Sequence, residues 1–121
     1  MQDTESILTS VKKLLGIAED YTAFDTDLVL HINSVFLTLS QLGVGPEEGF
    51  AITSKYETWD DYMESGALLN AIKSYVYLKV RLLFDPPTSS SVTDSIKNMI
   101  TEFEWRINVE CENARKETEN V

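Results

Sequence analysis

The sequence predicts an all-α fold: a compact four-helix bundle-like domain with a long C-terminal helix and an irregular middle loop. Three observations predict it. Apolar residues recur at three- and four-residue spacing in four separate stretches, each bounded by capping or breaking residues. One of these, Ala67–Pro87 (ALLNAIKSYVYLKVRLLFDPP), is apolar on nearly every side and ends in two prolines, which marks it as the helix that the others cover. The chain has 121 residues, 43% of them hydrophobic and 25% charged, enough for one core without staples. A single domain over 1–121 is therefore expected, with its core over about 4–108 and a projecting or flexible tail over 109–121.

The first helix follows from Ile7, Leu8, Val11, Leu14 and Leu15, which share one face. Lys12 and Lys13 suit its C-terminal dipole, and Gly16 can supply the left-handed cap. After a connector, Thr22 or Asp25 is the expected cap of a second helix over Asp25–Leu42. Its core stripe is Leu28, Ile32, Val35, Phe36, Leu39 and Leu42, and Gly43 ends it. Leu30 and Leu37 lie seven residues apart on the opposite side, where they need another partner. Asp25 and Asp27 read as acids at a helix start and not as a metal pair.

From Gly43 to Thr58 the glycines and Pro46 forbid a long helix, and Phe50–Ile52 reads as a short strand or an extended lip. Thr58-x-x-Asp61 is a capping-box signature that opens a short helical turn. Trp59 and Tyr62 sit three apart on that turn. They either close the end of the core or anchor a partner.

In the central helix, Leu68, Leu69, Ile72, Tyr75, Val76, Leu82 and Leu83 form one broad arc, with Tyr77, Val80 and Phe84 on the other side. Lys79 falls inside the main arc, where it either runs its stem along the core to reach water or pairs with a carboxylate of another helix. Asp85-Pro86-Pro87 then forces a turn. Ser91-x-x-Asp94 begins the last helix, whose stripe is Val92, Ile96, Met99, Ile100, Phe103, Ile107 and Cys111. Trp105 and Val109 lie away from that stripe with Arg106 beside them, which marks an interface.

Composition excludes several function classes. A net charge of −10 disfavours gripping nucleic acid, because phosphate contacts need clustered lysine and arginine. One cysteine, Cys111, and one histidine, His31, give no disulfide and no zinc site. GVGPEEG lacks the flanking elements and the lysine of a phosphate loop. No catalytic set, cofactor site or metal site is expected. With no bilayer-spanning apolar run and no leader at the N-terminus, the expected chain is soluble and made in a cytoplasm.

Taken together, TAFDTDLVLHINSVFLTLSQLGVGP, YVYLKVRLLFDPPTSS and EFEWRIN resemble the head-tail connector (adaptor, or head-completion) proteins of long-tailed bacteriophages and prophages. The similarity runs from about Ile7 to Asn108. Its most specific parts are the central helix closed by LLFDPP and the Trp105-Arg106 pair. The resemblance implies a structural virion protein and no enzyme. It implies a subunit of a homo-oligomeric ring, usually dodecameric, under the portal protein at the capsid vertex. Such a ring extends the DNA channel, helps retain the packaged genome and docks the tail or a further connector. The residues expected to meet neighbouring subunits or the portal are Leu30, Leu37, Trp59, Tyr62, Trp105, Arg106 and Val109.

Two other readings compete. An acidic DNA mimic that inhibits a nucleic-acid enzyme would need carboxylates spaced like phosphates on one face, whereas here they are scattered over loops and helix starts. A small enzyme using Asp60 and Asp61 would need the pair to converge, but adjacent helical residues point about 100° apart.

Overall fold

The computed structural model describes residues 4–119 and is mostly helical. Five helices follow in order among the described residues: α1 (Ile7–Leu15), α2 (Asp25–Gln41), the single turn α3 (Trp59–Tyr62), α4 (Ala67–Phe84) and α5 (Ser90–Glu119). The stretch Phe50–Ile52 is not a strand. The one β feature among the described residues is an isolated bridge between Ser6 and Thr58.

Local sequence sets most helix ends. Ser6 Oγ accepts the Thr9 amide at 3.2 Å to start α1, and Gly16, at φ 81°, closes it in the left-handed conformation that other residues avoid. The expected box at α3 forms in full: Thr58 Oγ1 accepts the Asp61 amide and Asp61 Oδ2 accepts the Thr58 amide. Asp85 donates its amide to Arg81 O at 2.9 Å and ends α4, since the following proline disfavours a helical residue before it.

Two expected caps differ. Phe24, not Thr22 or Asp25, occupies the cap position of α2 and makes no side-chain bond there, because Asp25 is engaged by Lys12. The last helix begins at Ser90, with Ser89 Oγ accepting from the Val92 amide at 3.5 Å, so Ser91 lies inside the helix.

The central position of α4 is borne out. It packs on α5 and on α2 and more lightly on α1, while α2 and α5 share no comparable interface. Ile72, Tyr75, Val76 and Val80 are fully buried, each contributing roughly 1.5–3 kcal/mol through burial. Leu83 departs from the expected arc and stands about half exposed in the last turn. Along α5, Ile96, Ile100 and Ile107 are buried on α4, but Val92 and Met99 of the expected stripe are exposed.

The middle loop is held by side chains that take the place of a sheet. Asn33 of α2 clamps Ile52 in both directions: Nδ2 donates to Ile52 O at 2.9 Å and Oδ1 accepts the Ile52 amide at 2.8 Å. At Gly45, φ 90°, a Cβ would lie 2.9 Å from Tyr62 Cε1, so no other residue fits there without moving that ring.

Glu57 collects the Thr53 amide and hydroxyl at 2.9 and 2.8 Å and the Ser54 amide at 3.1 Å. Its slight burial pushes the carboxyl up, but these hydrogen bonds outweigh it and hold it below the ordinary 4.5. A depressed folded value gives stability that is present above 4.5 and is lost as pH falls through the folded value. Amide exchange at Thr53 and Ser54, taken relative to the intrinsic exchange rate at each pH, is expected to rise when the wild-type protein is acidified through this range. Glu57→Gln should raise it at neutral pH and remove the pH dependence.

Candidate functional site

Because α2 turns Leu28, Ile32, Val35 and Leu39 into the core, its other side carries Leu30 and Leu37, 64% and 61% exposed. The middle loop flanks this face. A hollow of about 380 Å3 lies between Leu30 and the Thr53–Tyr56 segment, and one of about 440 Å3 lies beside Leu37, Glu47, Glu48 and Phe50. Asn33, which lines the second hollow, sits between the two leucines and holds the loop by its clamp on Ile52. Tyr56 at the Leu30 end is exposed, a large aromatic on which sequence patterning gave no purchase.

A second surface opens where α4 and α5 meet. Ala67, Ala71 and Ser74 of α4, with Phe103, Trp105 and Val109 of α5, line an open groove of about 480 Å3. Trp105 is 66% exposed on its rim, and Val109 is half-buried. Arg106 Nη2 lies 2.6 Å from Glu102 Oε1 one turn away, a solvent-exposed pair that adds little to stability. The groove wall is fixed from within by Tyr75, whose hydroxyl donates to Glu104 Oε2 at 2.8 Å. Burial, and then the Glu104 carboxylate, push that phenol up, so it keeps its proton as a donor.

Leu30, Leu37, Trp105 and Arg106 are therefore at the surface, with Val109 in the groove. Trp59 and Tyr62 are not at the surface. They are 1% and 5% exposed, and Phe36 packs on both, with ring centroids 6.2 and 4.7 Å away. The turn carrying them faces inward because the bonds Ile7 N to Glu57 O and Trp59 N to Glu5 O pin its start to the beginning of α1. Of the two readings left open for this pair, closing the core is the one that fits, and an exposed anchor is not available.

The lysine buried in an ion pair is Lys12, whereas Lys79 follows the other reading, its stem along the core. Lys12 is 2% exposed; its Nζ donates to Glu19 O at 3.0 Å and Tyr21 O at 2.7 Å and lies 2.9 Å from Asp25 Oδ1. It ties the α1–α2 connector to both helices. A signal was present, since Leu8, Val11, Lys12 and Leu15 follow the i, i+3, i+4, i+7 spacing of a buried face. Lys79 is half-buried with Nζ 5.7 Å from the centre of the Tyr75 ring, its stem running along the core.

Among the described residues no group of three His, Cys, Asp or Glu is placed to hold a metal ion, and no helix is long and apolar enough to cross a membrane. His31 stands edge-on to Phe84, ring centres 6.4 Å apart, within an aromatic cluster that includes Phe24 and Tyr21. Among the described residues the chain presents two uncovered apolar surfaces, one on α2 and one between α4 and α5, on a strongly acidic body. No curated protein and no solved structure matches the chain. A family model described as phage connector protein matches residues 7–114.

Proposed function

Since the chain belongs to the phage connector protein family, we propose that it forms a ring under the portal, extends the DNA channel, helps retain the packaged genome and docks the tail side of the neck. The family is a structural one and points to a non-enzymatic role at the head-tail junction. The observation that carries the finer reading is the pair of separate apolar surfaces, Leu30 with Leu37 and the Trp105 groove. A monomer that worked alone would have no use for both.

Charge supports passage of DNA without adhesion. A ring of about a dozen chains, each at −10, would repel the duplex from its wall, so the genome slides through the bore. The end of α5 supports contact with the portal or neighbouring subunits. Its helix continues to Glu119, and Glu110, Glu112, Asn113, Ala114 and Lys116 are exposed. In this reading the end of α5 beyond Cys111, which still packs against the core, forms an arm outside the packed domain, and the last two residues of the expected 109–121 tail lie outside the described residues.

The test is genetic. A phage lacking this chain should package DNA into heads that then lose it and carry no tails, and supplying the chain in trans should restore tailed particles. Tailed, infectious particles formed without it would contradict the proposal.

A further inference from the structure

We infer that the outer face of α2 in one copy seats in the α4–α5 groove of the next, a head-to-tail contact between two different surfaces. The inference rests on the connector reading above, since it assigns how one ring subunit meets its neighbour. Two features left uncovered within the chain carry it: the exposed Leu30 and Leu37, and the groove beside the exposed Trp105.

The two surfaces share an interval. Leu30 and Leu37 are seven residues apart, as are Ala67 and Ser74 on the groove floor, so each pair spans about 10.5 Å along its helix. The groove floor is small where the α2 face is bulky. Two leucines can enter between α4 and the Trp105 ring, as ridges of one helix fill the groove of another.

Charge sets the direction. Leu37 is flanked by Glu47 and Glu48, and Leu30 by Lys55. In the groove, Arg106 lies toward the Ser74 end and Glu110 toward the Ala67 end, because α4 and α5 run antiparallel with Tyr75 bonded to Glu104. Seating Leu37 toward Ser74 and Leu30 toward Ala67 brings Glu47 and Glu48 to Arg106, where they share the guanidinium with Glu102, and brings Lys55 to Glu110, Asp25 beside Lys55 being already paired with Lys12. The reverse order sets like charges together.

The placement permits propagation. α4 stands between α2 and α5, so both surfaces can be engaged at once. Contacts between unlike surfaces close into rings when their rotation allows.

The experiment uses two otherwise full-length chains of different mass, both carrying Cys111→Ser. One also carries Leu37→Cys, the other Ser74→Cys. They are oxidised under the conditions in which the wild type assembles, alone or on the portal. The expected result is a covalent heterodimer in the mixture and no covalent dimer from either chain alone. In parallel, Leu30→Glu with Leu37→Glu should weaken assembly at least about tenfold while leaving the unfolding midpoint near that of the wild type.

Leu37→Cys chains that cross-link to each other and not to Ser74→Cys chains would overturn the pairing in favour of a symmetric α2 contact. Assemblies that form normally and give no cross-link would overturn the assigned surfaces and leave the connector reading standing. A wild type that assembles neither alone nor on the portal would take both down.

Discussion

Lys12→Met is expected to lower the unfolding free energy by about 3 kcal/mol or more, the loss typical when one partner of a buried ion pair is removed. Methionine keeps the stem's packing, so the loss isolates the ammonium. The Glu19 and Tyr21 carbonyls, bonded to Nζ at 3.0 and 2.7 Å, would lose their donor, and Asp25 would lose its countercharge at 2.9 Å. Asp25 is the more accessible partner, its side chain 28% exposed against 3% for Lys12, and water recovers part of its solvation. Asp25→Asn should therefore cost less than Lys12→Met. Denaturant titration checks both, with the midpoint falling and the slope unchanged. Equal, near-zero effects would mean that the connector is held by something other than Lys12.

Trp59→Ala is expected to cost about 3–5 kcal/mol, the range for deleting a buried aromatic ring. The ring is 1% exposed, packs against Phe36, and donates Nε1 to Ser10 Oγ at 3.0 Å, while Ser10 Oγ itself donates to Ile7 O at 2.8 Å. It joins α3 to α1 at the point where the Ser6–Thr58 bridge also closes. Trp59→Phe, which keeps most of the volume and removes the donor, should cost about 1 kcal/mol. Both effects are read as unfolding midpoints. A surface anchor would behave otherwise, losing assembly with the midpoint unchanged. Trp105→Ala supplies that contrast, being expected to leave stability within about 0.5 kcal/mol, as exposed positions do.

Features encoded over a few neighbouring residues were legible in the sequence. The Ser6 cap, the Gly16 stop, the Thr58–Asp61 box and the proline stop after α4 each depend on residues within one turn of each other. The two-sided apolar pattern of Ala67–Phe84 placed α4 at the centre for the same reason. What escaped depends on distant partners. The Asn33 clamp on Ile52 joins residues 19 apart, and the Trp59 bond to Ser10 joins residues 49 apart. No local pattern sets the direction in which those side chains turn.

Register against α4 and position on the helix face explain the partial failure of the α5 stripe. α4 has 18 residues and α5 has 30, about 27 and 45 Å at helical rise, so α5 outruns the surface that could bury it. Val92 lies before the stretch of α5 that runs beside α4, and Met99 sits at the edge of the stripe, to one side of the line of Ile96, Ile100 and Ile107, so both are apolar by pattern and exposed in the fold. The surface residues divide in the same way. Leu30, Leu37 and Trp105 were legible because they break the helical stripe, whereas the groove beside Trp105 exists only once α4 and α5 are packed together.

The central claim is that this chain is a ring-forming connector subunit. Its most direct test is the particle mass by multi-angle light scattering, for the full chain alone and mixed with the cognate portal. The account predicts a closed multimer, either free in solution or formed on the portal with many copies bound per portal assembly. A strict monomer that ignores the portal, and instead inhibits a nucleic-acid enzyme, would contradict it.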